Sequence, residues 1–286
     1  MLDVRIQTFL TVCETMSLTR AAERLHLTQP AVTQHIHFLE EVYQCKLFRY
    51  SGRTLYKTQK GEQFERFAKS MRHNAQNIES ILRQPPQEGY CLPLGATKTI
   101  GEYVIAEKIK RYLAHPEKNL SLTVSNTELL LKLLEEGKID LALIEGYFDK
   151  TRYDYQLLRE EPFVGICARA HPFAGREVGL EELFFERLIA REPGSGTRTI
   201  LEQLLGERSY SFEQFLRVTE ISNFSMICEL VRSGFGISFL YQAVLQKNNE
   251  GIATFSIHGT PVKREFNYVF LKNLVFREEI NAFIAQ

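Results

Sequence analysis

The sequence predicts an N-terminal all-α winged helix-turn-helix with a long linker helix, followed by an α/β domain of two lobes. Three observations carry this. Residues 17–36, "SLTRAAERLHLTQPAVTQHI", place two short helical patterns side by side, with small and neutral polar residues on the outer face of the second. Residues 58–84 hold a long apolar seam without proline, and residues 91–286 alternate strand and helix patterns.

The first pattern, "VRIQTFLTVCET", repeats Ile6, Phe9, Leu10 and Cys13 at i, i+3, i+4, i+7, one face of a helix. The second, "LTRAAERL", turns Ala21, Ala22 and Leu25 to one side, and its alanines allow close helix approach. The third starts at Thr28, a good N-cap, with Pro30 in the first turn where a missing N–H costs nothing. Val32, Ile36, Leu39 and Tyr43 then form its inward stripe, and Pro30, Thr33, Gln34 and His37 face outward. None of these outward residues is acidic, and Thr, Gln and His can hydrogen-bond to base edges. Leu47–Tyr50 and Thr54–Lys57 read as two strands around a Ser51-Gly52 turn, decorated by Arg49, Arg53 and Lys57. In such a unit, residues 1–58, the third helix enters the major groove and the wing holds phosphates. The candidate DNA-binding residues are therefore Thr28, Gln29, Pro30, Ala31, Thr33, Gln34, His37, Arg49, Arg53 and Lys57. A three-helix bundle without a nucleic-acid role is the competing reading of the bare pattern.

Residues 59–90 form the linker helix and hinge. Phe64, Phe67, Met71, Ala75, Ile78 and Leu82 recur near period 3.5, and such a seam needs a partner. That partner is a second copy of the chain or its own second domain; Phe64, Phe67, Met71, Ile78 and Leu82 are the candidate dimerisation residues. "QPPQEGY", residues 84–90, stops the helix.

In the second half, "CLPLGAT" reads as a strand and Thr99–Leu113 as a helix. "LSLTVSN", "TELLLKLLEEG" and "IDLALIEG" continue the alternation, as do "PFVGICAR", "RLIAREPGSG", "TRTILEQLL", "FLRVTEI", "FSMICELVRSG", "GISFL", "EFNYVFLKN" and "FREEINAFIAQ". This predicts largely parallel sheets in two similar lobes with a cleft between them. Ligands in open α/β sheets bind beyond the strand C-termini, where helix N-termini point. Four such junctions are present: "GATKTIGE", "SNTE", "REPGSGTR" and "ISNFS". Thr99 with Glu102 and Ser125 with Glu128 fit capping boxes. The candidate effector-binding residues are Thr97, Lys98, Thr99, Ile100, Asn126, Thr127, Glu145, Gly194, Ser195, Gly196, Thr197, Ser222 and Asn223. Hydroxyls, N–H groups and one ammonium favour a small anion. Glu145 and Glu192 oppose that charge argument: they bind a donor on the ligand, pair with Lys98 or Arg198, or face solvent.

Composition bounds the function. The 286 residues suffice for about two domains, and 44 % hydrophobic with 24 % charged residues is ordinary for a soluble chain. No apolar run approaches the roughly 20 residues of a membrane span. "MLDVRIQTFL" lacks the features of an export signal, so a cytoplasmic location is expected. Five scattered cysteines without a CxxC pair read as buried thiols, with a Cys167–Cys228 redox pair the minor alternative; the histidines lack metal-ligand spacing. No metal and no cofactor is expected. Net charge is zero overall, yet residues 1–90 carry 12 Lys and Arg against 9 Asp and Glu. That net +3 leans the N-terminal part toward a polyanion. Catalysis is the competing class for the cleft, but no nucleophile elbow, Walker-type loop or metal cluster is present, and "GSGT" lacks the GxGxxG pattern.

Residues 1–61 resemble the DNA-binding domain of LysR-type transcriptional regulators, through the "AA" of the second helix, "LTQPAVTQHI…LE", the "LF.R"-like spacing and the "T..G" that opens the next helix. Thr33 stands where that family usually has Ser, and the wing has fewer basic residues than is common. The second half is similar to the family's effector-binding domain, itself periplasmic-binding-protein-like, through "LGATKTIGEYVI", "GKIDLALIEG" and "VRSGFGISFL". "REPGSGTR" resembles the branch of carbon-fixation and sulfur-oxyanion metabolism regulators. The resemblance implies lobe one at 91–160 and 267–286, lobe two at 161–266, and a homodimer or homotetramer joined through the linker helix. It also implies double-stranded promoter DNA as partner, with binding modulated by a small anionic effector: a sulfur oxyanion, phosphorylated metabolite or small carboxylate.

Overall fold

A computed structural model describes residues 2–83, 90–246, 249–259, 262–274 and 277–286. Three short helices come first: α1 (Val4–Thr15), α2 (Leu18–Leu25) and α3 (Gln29–Val42). Each is started by a side chain that satisfies an orphan N–H: Asp3 accepts from Arg5, Ser17 from Arg20 and Thr28 from Ala31. Phe9, Leu10, Val12, Ala21, Ala22, Val32, Ile36 and Leu39 make their common core. Tyr43 departs from the expected inward stripe: it caps the C-terminus of α3, exposed, with its ring on Phe64 at 4.9 Å.

The wing pairs β1 (Phe48–Ser51) with β2 (Thr54–Lys57), one residue later than expected at its start. The reason is Glu40, whose buried carboxylate accepts the Leu47 N–H at 2.9 Å and the Phe48 N–H at 3.4 Å, tying the strand entry to α3. The turn is Gly52-Arg53, with Gly52 at φ +61°, which a residue without Cβ adopts freely.

The linker helix α4 (Gln59–Arg83) does not present one seam. Phe64, Ala68 and Met71 turn into the N-terminal core, whereas Phe67, Ile78 and Leu82 are exposed, Leu82 at 77 %. A third face is polar and buried. Lys69 meets Glu65 at 3.0 Å and also Glu135, and the Ser70 hydroxyl donates to the Lys272 carbonyl at 2.6 Å. A 25-residue helix thus serves three surroundings, which a single apolar stripe could not. The predicted hinge at 84–89 lies outside the described residues.

The second domain opens with β3 (Cys91–Thr97), β4 (Asn119–Ser125) and β5 (Leu141–Glu145), separated by α5 (Ala106–Leu113) and α6 (Thr127–Glu135). The helix expected from Thr99 begins instead as a π-helical stretch, Ile100–Val104, before α5. Then come β6 (Tyr153–Ala168), β7 (Glu177–Val178), α7 (Leu180–Leu183), β8 (Arg187–Ala190), α8 (Gly196–Gly206), β9 (Arg217–Glu220) and α9 (Phe224–Arg232). The chain closes with β10 (Ser238–Tyr241), α10 (Gln242–Leu245), β11 (Ile252–Ile257), β12 (Val262–Leu271) and α11 (Glu278–Ile284).

The sheets are mixed, which corrects the expectation of largely parallel ones. β3 pairs parallel with β4 and β5, and β8 with β9. β12 pairs antiparallel with β5 and β6, and β6 antiparallel with β10 and β11. The long β6 and β12 run against each other from Leu271↔Tyr153 to Val262↔Phe163 and carry the chain between the lobes. The boundaries expected at 160/161 and 266/267 fall inside these shared strands. At the lobe-two end of β6, a Cβ on Gly165 would lie 2.4 Å from the ring of Phe255, itself packed against Phe173 and Phe239. Gly165→Ala is therefore expected to destabilise by about 1–3 kcal/mol, read as a lower midpoint in chemical denaturation; an unchanged midpoint would contradict this packing.

Candidate effector cleft and DNA-reading surface

The strand ends converge as the alternating pattern requires. Thr97 and Thr99 lie at and just beyond the end of β3, Glu145 ends β5, and Ser195, Gly196 and Thr197 begin α8. The side chains of Thr97, Thr99, Glu145, Ser195 and Thr197 are buried, as is Ile100, and Gly196 is half-buried. Thr99 does not cap a helix with Glu102: its backbone is already helical, and its hydroxyl donates to Glu145 Oε1 at 3.0 Å. Ser125 does not cap either. It ends β4, and Asn126 Oδ1 takes the cap role by accepting the Leu129 N–H at 2.9 Å. Asn223 Oδ1 is used the same way, accepting from Met226 at 2.9 Å. Thr127 Oγ1 reaches the Glu145 carbonyl at 3.5 Å.

The start of α8 faces the end of β5 closely. A Cβ on Gly196 would stand 3.6 Å from the Glu145 carbonyl, and Gly194, at φ +81°, makes the turn before it. Among the described residues, the hydroxyls of Thr97 and Thr197 and Glu145 Oε2 are buried without well-aligned hydrogen bonds. Thr97 lies near enough to influence the Glu145 carboxylate without forming a well-aligned bond to it.

The two acids resolve differently. Glu192 meets Lys98 Nζ at 3.2 Å and Arg191 Nε at 2.8 Å. Partial burial works against its charge, yet the Arg191 and Lys98 contacts outweigh that and draw its pKa down to about 2. Lys98 also donates to the Ser222 carbonyl at 3.4 Å. Glu145 pairs with neither Lys98 nor Arg198, and Arg198 holds Glu202 and Glu220. Burial pushes the Glu145 carboxyl up to about 7, against the opposing pull of Thr99 and Arg191. Arg191 was not singled out from sequence. It is buried, with its guanidinium 4.1 Å above the Phe224 ring, and only its place in "REPGSGTR" could have pointed to it.

On the N-terminal unit, Thr28, Gln29, Pro30, Gln34 and His37 are exposed along one side of α3, with Ala31 and Thr33 half-buried. Gln29 Nε2 donates to Thr33 Oγ1 at 2.9 Å. Arg49 and Arg53 are exposed on the wing, whereas Lys57 is held by Glu65 of α4. Among the described residues, no helix is long and apolar enough to cross a membrane, and no group of three or more His, Cys, Asp or Glu could hold a metal ion. Burial raises the Cys167 and Cys228 thiols to about 11, where they stay protonated and unreactive.

A groove-sized helix beside a basic hairpin, carried on a helix that leads to a two-lobed α/β cleft, defines a ligand-responsive DNA-binding regulator. Residues 4–62 match the bacterial regulatory helix-turn-helix protein, lysR family, and residues 89–286 match the LysR substrate binding domain. The chain belongs to the LysR family of transcriptional regulators. It is 29 % identical over 270 residues to the regulator CysL of Bacillus subtilis, covering 92 % of this chain and 89 % of that one. It is 27 % identical over 271 residues to the RuBisCO operon transcriptional regulator of Allochromatium vinosum, covering 93 % and 88 %. The regulatory domain of Synechocystis PCC6803 CcmR, solved in complex with 2-PG, superposes with a TM-score of 0.60 at 25 % identity, covering 68 % of this chain and 95 % of that one.

Proposed function

We propose that this regulator binds double-stranded promoter DNA through Thr28, Gln29, Pro30, Ala31, Thr33, Gln34 and His37 of the α3 unit and through Arg49 and Arg53 of the wing. It works in the cytoplasm as a homodimer or homotetramer joined along α4. The exposed Phe67, Ile78 and Leu82 support that pairing, because such a row on one long helix is unfavourable in water. Phe64 and Met71 leave the set, since they already pack within the chain. Arg53→Gln is expected to weaken binding to all sequences alike and to lower the salt slope of log K by about 1, as for a lost phosphate contact. A loss confined to one operator would assign Arg53 to base reading instead.

The effector is a small anion held between the lobes by Thr97, Lys98, Thr99, Ser195, Gly196 and Thr197. The single observation that carries this is a pair of buried hydroxyls near Glu145, Thr97 at the end of β3 and Thr197 at the start of α8, neither with a well-aligned hydrogen bond among the described residues. Helix N–H groups and hydroxyls there are donors awaiting an acceptor. The 2-phosphoglycolate complex of the similar CcmR domain supports a phosphorylated or carboxylate ligand. Ligand must favour one lobe arrangement over the other for DNA binding to change. The test is thermal shift and operator binding with sulfite, sulfate, thiosulfate, 2-phosphoglycolate and small carboxylates. A shift abolished by Thr99→Ala and Ser195→Ala supports the site; a shift that survives both moves it elsewhere.

A further inference from the structure

A cavity of about 310 Å³ opens beside the two strands that join the lobes. It shares no residue with the cluster around Thr97 and Ser195. Its charged groups are unevenly satisfied. Lys150 and Glu265 neutralise each other at 2.8 Å. Among the described residues Arg264 forms no ion pair: its guanidinium lies 5.5 Å from the Tyr147 ring centroid, and its Nε is buried without a hydrogen bond there. Among the described residues Lys263 and Glu160, both on the cavity wall, have no ion-pair partner either. Asn267 is 2 % exposed; its Nδ2 donates to Glu265 at 3.3 Å, while its Oδ1 is buried and accepts nothing among the described residues.

A cavity wall that holds a buried guanidinium N–H and a buried amide oxygen, both unsatisfied, lacks a donor and an acceptor at once. Neither a simple anion nor a simple cation supplies both. An anion leaves Asn267 Oδ1 and Glu160 unmatched, and a cation leaves Arg264 and Lys263 unmatched. We propose that this cavity binds a free α-amino acid, its carboxylate on Arg264 and Lys263 and its ammonium toward Asn267 Oδ1 and Glu160. The volume lies at the small end of ligand pockets, which suits a single amino acid. Tyr147 and Phe148 offer the wall for its side chain. Because β6 and β12 both pass the cavity, occupancy there bears on the connection between lobes, separately from an anion at α8.

The test is calorimetric titration of the full-length protein with the proteinogenic L-amino acids, with propionate and propylamine as single-charge probes. At least one amino acid is expected to bind below about 10 mM, while both single-charge probes bind roughly tenfold more weakly or not at all. Arg264→Gln and Glu160→Gln each weaken that binding by at least about tenfold, and Thr99→Ala leaves it unchanged. Circular dichroism melts of the variants separate lost binding from lost folding, and Glu160, an exposed residue, provides the variant least able to disturb the fold. No amino acid binding, equal binding of propionate, or binding lost with Thr99→Ala but kept with Arg264→Gln overturns the proposal. A failure here leaves the anion at α8 untouched, because that site is read with different ligands and different variants.

Discussion

Glu145→Gln is expected to raise the stability of the protein at pH 8 by up to about 3 kcal/mol and to change it little at pH 5. Burial lifts the Glu145 pKa from the ordinary 4.5 to about 7 in the folded chain. Between those values the folded state holds a proton that the unfolded state has released, so stability falls as pH rises from about 4.5 to 7 and is level beyond. Glutamine keeps an oxygen for the Thr99 hydroxyl and has no charge to desolvate, so the slope disappears. The same carboxylate stands at the proposed anion site, and its ionised form repels the ligand. Anion affinity of the parent protein is therefore expected to rise as pH falls through 7, and that of the variant to stay flat. Denaturant melts and anion titrations across pH 5–8 check both. Parallel pH profiles for parent and variant would show that Glu145 titrates in the normal carboxylate range and does not oppose the ligand.

What the sequence made legible followed from local rules. Thr28 announces a helix start because a cap bonds only two or three residues ahead, and it acts as a cap here. The alternating strands and helices of the second half are visible because fully buried strands such as β5 are continuous apolar runs. Thr99 was misread because its hydroxyl is claimed by Glu145, 46 residues away, and no local pattern records that. The first half of β6, "YDYQLLREE", escaped notice because it lies largely outside the core and carries little apolar alternation. Phe64 and Phe67 look equivalent in a seam of period 3.5, yet the first meets Phe9 at 4.8 Å and the second is half exposed. Only the tertiary placement of α1 across α4 separates them.

The polar face of α4 leads to the other large effect. His73 is fully buried, with Nε2 at 2.9 Å from Asp140 Oδ1, and the Tyr90 hydroxyl donates to Asp140 Oδ2. Asp140 sits just before β5 and donates its own N–H to the Pro93 carbonyl at 2.8 Å, so the carboxylate is anchored in the sheet. One acid thereby holds the linker helix to the effector domain. Removing one partner of a buried polar pair costs far more than the pair adds, because the remaining group is left desolvated. Asp140→Ala is expected to destabilise by about 3–5 kcal/mol and to speed amide exchange along residues 69–76. Asp140→Asn keeps one acceptor and should lose clearly less. The exposed Lys110–Glu107 pair, at 2.8 Å, is the contrast: breaking it should fall within about 1 kcal/mol. If Asp140→Ala proved as mild as Lys110→Ala, with α4 exchange unchanged, the linker would not be docked through this acid. The route from cleft to reading helix would then have to pass through the Lys69–Glu135 and Ser70–Lys272 contacts instead.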